Sequence, residues 1–122
     1  MSEHKSLLLI DDSRVSRMKL RQLVLQKYPD WKITEASSAE EGLQKLEAET
    51  PDLITLDINM PGMDGLAAVN PLRAACPAAV IVLLSGNIQD GSKRKADELG
   101  VVFVEKPVTE SSVAKVLACI GR

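Results

Sequence analysis

Apolar residues in this chain gather into short runs that alternate with longer, mixed segments. Leu7 to Ile10, Leu53 to Leu56 and Val80 to Leu84 are near-continuous apolar runs, the pattern of strands covered by helices on both faces. Lys32 to Glu35 carries fewer apolar positions and reads as a strand nearer an edge, and the β-branched and aromatic run Val101 to Val104 makes five. The segments between them have helical spacing. Val15, Met18, Leu20, Leu23, Val24 and Leu25 predict a broadly buried helix over Ser13 to Tyr28. Ser38-Ala39-Glu40-Glu41 is a capping box that opens a helix reaching Glu49, with Ala39, Leu43 and Leu46 on one face. Pro71 falls inside the third helix, where it removes the hydrogen bond to the Ala67 carbonyl and predicts a kink or a late start. Asn87 to Leu99 has only Ile88, Ala96 and Leu99 as apolar anchors and reads as a loosely held fourth helix. In the fifth, Val113, Val116, Leu117 and Ile120 keep helical spacing, with Thr109 as N-cap and Gly121 as the stop. Strict strand–helix alternation predicts an α/β fold, a doubly wound parallel sheet with right-handed crossovers.

In such a sheet all strand C-termini lie on one edge, where residues distant in sequence converge. Here the predicted strands end in Asp11-Asp12, Asp57, Ser85-Gly86 and Lys106-Pro107. Crowded carboxylates repel and call for a cation, and hard oxygen donors suit Mg2+. The Lys106 ammonium and the Ser85 hydroxyl suit a phosphoryl group better than a neutral substrate. Taken alone each residue has a plainer role: Asp12 could cap the first helix, Asp57 a following turn, and Lys106 could be a solvated surface charge.

Together with the run Asp57-Ile58-Asn59-Met60-Pro61-Gly62-Met63-Asp64-Gly65, these motifs resemble the signature of the response-regulator receiver domain, the CheY-like module of two-component signalling, from Leu7 to Ile120. The resemblance implies a single flavodoxin-like (βα)5 domain with strand order 2-1-3-4-5. It implies that Asp57 accepts a phosphoryl group from a sensor histidine kinase, a phosphotransfer protein or a small acyl phosphate. Asp12 and Asp57 would bind Mg2+ directly, the Asn59 carbonyl would add a third ligand, and Asp11 would act through water. Lys106 would pair with a phosphoryl oxygen, Ser85 would move towards it, and Phe103 would change rotamer as the switch. A downstream protein would read the face made by the fourth helix, fifth strand and fifth helix. Phe103 stands where a tyrosine is often found, so the ring lacks a polar tip.

Composition narrows the alternatives. The chain has 122 residues, 45% of them apolar and 26% charged, which predicts one domain spanning 1–122 and no output domain. No apolar run is long enough for a spanning helix and no signal segment follows Met1, so a cytoplasmic location is expected. A net charge of -2 and one each of Phe, Trp and Tyr argue against binding nucleic acid. Cys76 and Cys119 read as small buried hydrophobes, and His4, the only histidine, leaves Ser-His-Asp and Cys-His catalysis without a partner. Two enzyme readings compete. Gly86 to Lys93 approaches a P-loop pattern, but Ser92 precedes Lys93 instead of following it. An aspartate-nucleophile phosphatase would need an Asp where Asn59 stands. The remaining alternative is a phosphorelay carrier that passes the phosphoryl group on; the expected activity is that of a phosphoacceptor, not of an enzyme acting on other substrates.

Overall fold

The chain runs β1 (Ser6–Ile10), α1 (Arg14–Lys27), β2 (Lys32–Ala36), α2 (Ala39–Lys45), β3 (Leu53–Asp57), α3 (Gly65–Ala75), β4 (Val80–Ser85) and β5 (Val102–Glu105). This computed structural model describes residues 5–48, 50–57, 65–85, 98 and 100–105, and at 65–68, 85, 103 and 105 the backbone alone. His4, Asn59, Lys106, Cys119, the P-loop-like stretch and, Glu98 apart, both expected C-terminal helices lie outside the described residues.

All five strands are parallel and stand in the order β2-β1-β3-β4-β5, the order implied by the resemblance. The three apolar runs are the three inner strands. Alternation along them divides the core into two layers, because successive side chains leave a strand on opposite faces. Leu8, Ile10, Ile54, Leu56, Ile81 and Leu83 pack with Ala39 and Leu46 of the α2 region and with Val69 and Leu72 of α3. On the other face Leu7, Leu9, Leu53, Val82 and Leu84 pack with Leu20 and Val24 of α1. Helices on both faces explain why every residue of β3 is buried, while β2, with one neighbour, is exposed at Lys32, half-buried from Ile33 to Glu35 and buried only at Ala36.

The helices differ from expectation in three places. α1 is not broadly buried: Leu20 and Val24, four apart, form its buried stripe, whereas Val15 is 75% and Met18 49% exposed. A helix lying on a sheet buries one stripe, and counting apolar residues does not reveal which. α2 is shorter than expected, because after Lys45 the chain tightens into turns closed by Glu47 N–H to Gln44 O and Ala48 N–H to Lys45 O, both 3.1 Å. Its box also closes differently. The Ser38 hydroxyl accepts the Glu41 N–H at 3.1 Å, but the Glu41 carboxylate reaches one residue further back, to the Ser37 N–H (2.8 Å) and hydroxyl (2.7 Å). These bonds, the backbone one first, hold Glu41 below its ordinary pKa. α3 runs through Pro71, which is exposed, between the buried Val69 and Leu72; there is no late start. Cys76, just beyond α3, is buried in the first core layer as expected, its thiol directed at the Pro51 carbonyl at 3.6 Å.

Candidate functional site

β1 and β3 are neighbours, paired from Leu7↔Leu53 to Ile10↔Leu56, so Asp11 and Asp57 follow the last shared rung. Both are buried, at 5% and 4% exposure, and Asp12 is exposed. One carboxylate oxygen from each of Asp11, Asp12 and Asp57 lies within 4.8 Å of the other two.

Local hydrogen bonds explain how two consecutive aspartates diverge. The Asp11 N–H donates to the Ala36 carbonyl (3.1 Å), continuing the ladder to β2. Its Oδ1 accepts the Ser13 N–H at 2.8 Å, an Asx turn that swings the chain out of the strand. The Ser13 hydroxyl then accepts the Ser16 N–H at 3.2 Å and caps α1. Ser13, not Asp12, is therefore the N-cap, and Asp12 stands on the crest between strand and helix. The Asp11 carbonyl also accepts a hydrogen bond from Arg17 Nη1. Arg17 Nε meets Glu35 Oε1 of β2 at 2.9 Å, and Arg21 Nε stands 4.0 Å from Glu35 Oε2.

Unit charges 4.8 Å apart repel by about 3 kcal/mol at an effective dielectric near 20, less where water screens Asp12. A hard divalent cation removes that cost. Opposite ligands of an octahedral Mg2+ stand about 4.2 Å apart, so oxygens within 4.8 Å can share one ion, one of them through water. The donor set, carboxylate oxygens with no thiolate or imidazole, fits the hard cation that the sequence predicted.

The structure thus brings together three of the predicted site residues. Ser85 ends β4, one residue beyond the Asp57↔Leu84 pair, so its backbone reaches the same edge. Phe103 pairs with Leu83 in the backbone of β5. Asn59 and Lys106 lie outside the described residues. Arg17 and Glu35 were missed. A local signal existed, for Arg14 and Arg17 occupy the first turn of α1, which has no acidic residue, although the positive end of a helix dipole disfavours cations.

Comparison with known proteins agrees with this geometry. Residues 7–118 match the response regulator receiver domain family. The chain is 38% identical over 112 residues to protein-glutamate methylesterase/protein-glutamine glutaminase 1 of Geobacter sulfurreducens, covering 88% of this chain and 30% of that protein. It is 34% identical over 113 residues to the chemotaxis protein CheY of Listeria monocytogenes, covering 91% and 93%. This chain thus spans about a third of the methylesterase relative's length. A response regulator from Burkholderia pseudomallei, crystallised with a phosphorylated aspartic acid, calcium ion and citrate, superposes with a TM-score of 0.83 at 26% identity, over 93% of this chain and 66% of that one.

Proposed function

From the premise that this chain belongs to the response regulator receiver domain family, we propose that it is a Mg2+-dependent phosphorylation switch of two-component signalling, with Asp57 as acceptor. The observation that carries the proposal is the convergence of Asp11, Asp12 and Asp57 at the ends of two central strands, with Asp57 buried. The strand fixes where the Asp57 side chain leaves the backbone, so the carboxylate is placed at the sheet edge before a donor arrives.

An Asp57 carboxylate oxygen attacks phosphorus in line with the bond that breaks. With a phosphohistidine donor the new P–O bond forms as the P–N bond cleaves, and the imidazole leaves with the electron pair. Asp12 and Asp57 would hold Mg2+ directly and Asp11 would hold it through water, with the Asn59 carbonyl as a further ligand. A Mg2+ held by these residues would supply Lewis-acid charge neutralisation for the phosphoryl group. Lys106 pairs with a phosphoryl oxygen, and Ser85 turns its hydroxyl to another.

The product adds about -1.5 to -2 charge and three acceptor oxygens at the edge of β3, enough to bias a two-state loop. Phe103 reports that change to a downstream protein from β5. The donor is a sensor histidine kinase or a phosphotransfer protein. No helix among the described residues is long and apolar enough to cross a membrane. Incubation with a small acyl phosphate and Mg2+ should add one phosphoryl group, visible by intact-mass spectrometry, and Asp57→Asn should abolish it. An equal yield from the variant would remove Asp57 as the acceptor.

A further inference from the structure

Behind the three carboxylates lies a cation that the phosphoryl chemistry does not use. Arg17 sits in the first turn of α1, its side chain only 15% exposed, at the helix end where the dipole opposes positive charge. Such a placement is stable only if the guanidinium is well partnered. Its fork has two partners: Nη1 donates to the Asp11 carbonyl, and Nε donates to Glu35 Oε1 at 2.9 Å.

The first contact bears on the acid pocket. The Asp11 carbonyl belongs to the peptide that joins Asp11 to Asp12, so a donor fixed on it sets the plane of that peptide, and with it the direction in which Asp12 leaves the strand. Asp11 is already held by its N–H to Ala36 and by its Oδ1 to Ser13. Asp12, on the exposed crest, has no comparable anchor of its own in the strand ladder. Rotation about the Asp11–Asp12 peptide would carry the Asp12 oxygen away from the group of three held within 4.8 Å. The second contact keeps the guanidinium in place, because Glu35 is fixed in β2 opposite Leu9.

We propose that Arg17, braced by Glu35, is a positioning residue for the cation site: it holds the Asp11–Asp12 peptide so that both acids face Asp57. The inference rests on the reading of this pocket as a Mg2+ site. Arg17 meets the site through the backbone carbonyl of Asp11, not through a carboxylate of the group of three. Its removal therefore weakens metal binding and leaves the chemistry of the loaded pocket intact.

The test is Mg2+ titration of the whole chain by calorimetry, alongside the Mg2+ dependence of phosphorylation by a small acyl phosphate. Arg17→Met should raise the Mg2+ midpoint about tenfold in both, the usual effect of losing a group that orients a ligand. The rate at saturating Mg2+ should stay within about twofold of wild type. Arg17→Lys should recover only part of the affinity, since an ammonium cannot span the carbonyl and the carboxylate as the fork does. Glu35→Gln, which leaves the carbonyl contact, should lie between wild type and Arg17→Met. A lower melting temperature with an unchanged Mg2+ midpoint would make Arg17 a structural link only and overturn the proposal. If Arg17→Met fails to fold, the midpoint of Glu35→Gln decides in the same way. Absence of Mg2+ binding in the wild type would defeat the metal-site reading itself, and this inference with it, an outcome distinct from any result confined to the variants.

Discussion

Gly42→Ala puts the contact between α2 and β1 to a quantitative test. A methyl group at position 42 would lie 2.5 Å from Ile10 Cδ1 and 3.0 Å from Cγ1, with Leu8 Cδ2 next at 3.8 Å. Two effects oppose each other. Alanine inside a helix is favoured over glycine by about 1 kcal/mol. Forcing a methyl group into a filled core costs about 1–3 kcal/mol, and Ile10 is 1% exposed and β-branched, so it has little freedom to turn away. Clash should win by roughly 1 kcal/mol, lowering the melting temperature by about 4 °C for a domain of this size. Equilibrium urea denaturation supplies the free energy. The companion variant sharpens the test: Ile10→Val alone should cost about 0.5–1.5 kcal/mol, but it deletes Cδ1, the atom in conflict. The double variant should then be more stable than the sum of the two losses by about 1 kcal/mol, a coupling expected only between touching residues. A Gly42→Ala protein that melts above wild type, or a strictly additive double variant, would refute the close approach.

Three further outcomes are expected. Asp12→Asn should weaken Mg2+ binding at least about tenfold, because a neutral amide lacks the charge that a hard cation needs; an unchanged midpoint by titration would remove Asp12 from the ligand set. Glu41, held below its ordinary value of 4.5, favours the folded state above the unfolded pKa and loses that contribution as pH falls through the folded pKa. Wild type should therefore exceed Glu41→Gln in stability at neutral pH, the gap closing below about pH 4, as measured by urea midpoints across pH. Beryllofluoride with Mg2+ should shift amide resonances around Ser85 and Phe103 far more than those of α2; shifts confined to Asp11, Asp12 and Asp57 would favour a phosphorelay carrier over a switch.

What could be read from sequence depended on how local the cause was. The run from Leu53 to Leu56 is apolar but for Thr55 because helices cover both faces of its strand, so β3 was legible from its pattern. The edge position of β2 showed in its mixed pattern for the same reason. The site acids were legible because strand ends share one edge whatever the loops do. Val15 and Met18 were misjudged, since which stripe of α1 meets the sheet depends on the helix's rotation, a tertiary quantity. The exchange of Asp12 for Ser13 as N-cap could not be decided either. Both residue types cap helices, and the choice turned on Asp11 having already taken the Ser13 N–H. Arg17 and Glu35 are 18 positions apart, and their meeting requires α1 to cross towards β2, which no periodicity encodes.

The placement of two buried acids at the end of the ladder that joins β1 to β3 has a mechanical consequence. Strands in a sheet stand about 4.8 Å apart, and the rung Ile10↔Leu56 fixes that spacing just before Asp11 and Asp57. The backbone cannot spread to ease the repulsion without breaking the most buried part of the sheet. A cation bound by both acids would therefore act on the whole cooperative unit rather than on one loop. With Mg2+ bound there, folding stability would rise as RT ln(1 + [Mg2+]/Kd). The protein's resistance to unfolding and its readiness to take a phosphoryl group would then rise and fall together with the free magnesium of its compartment.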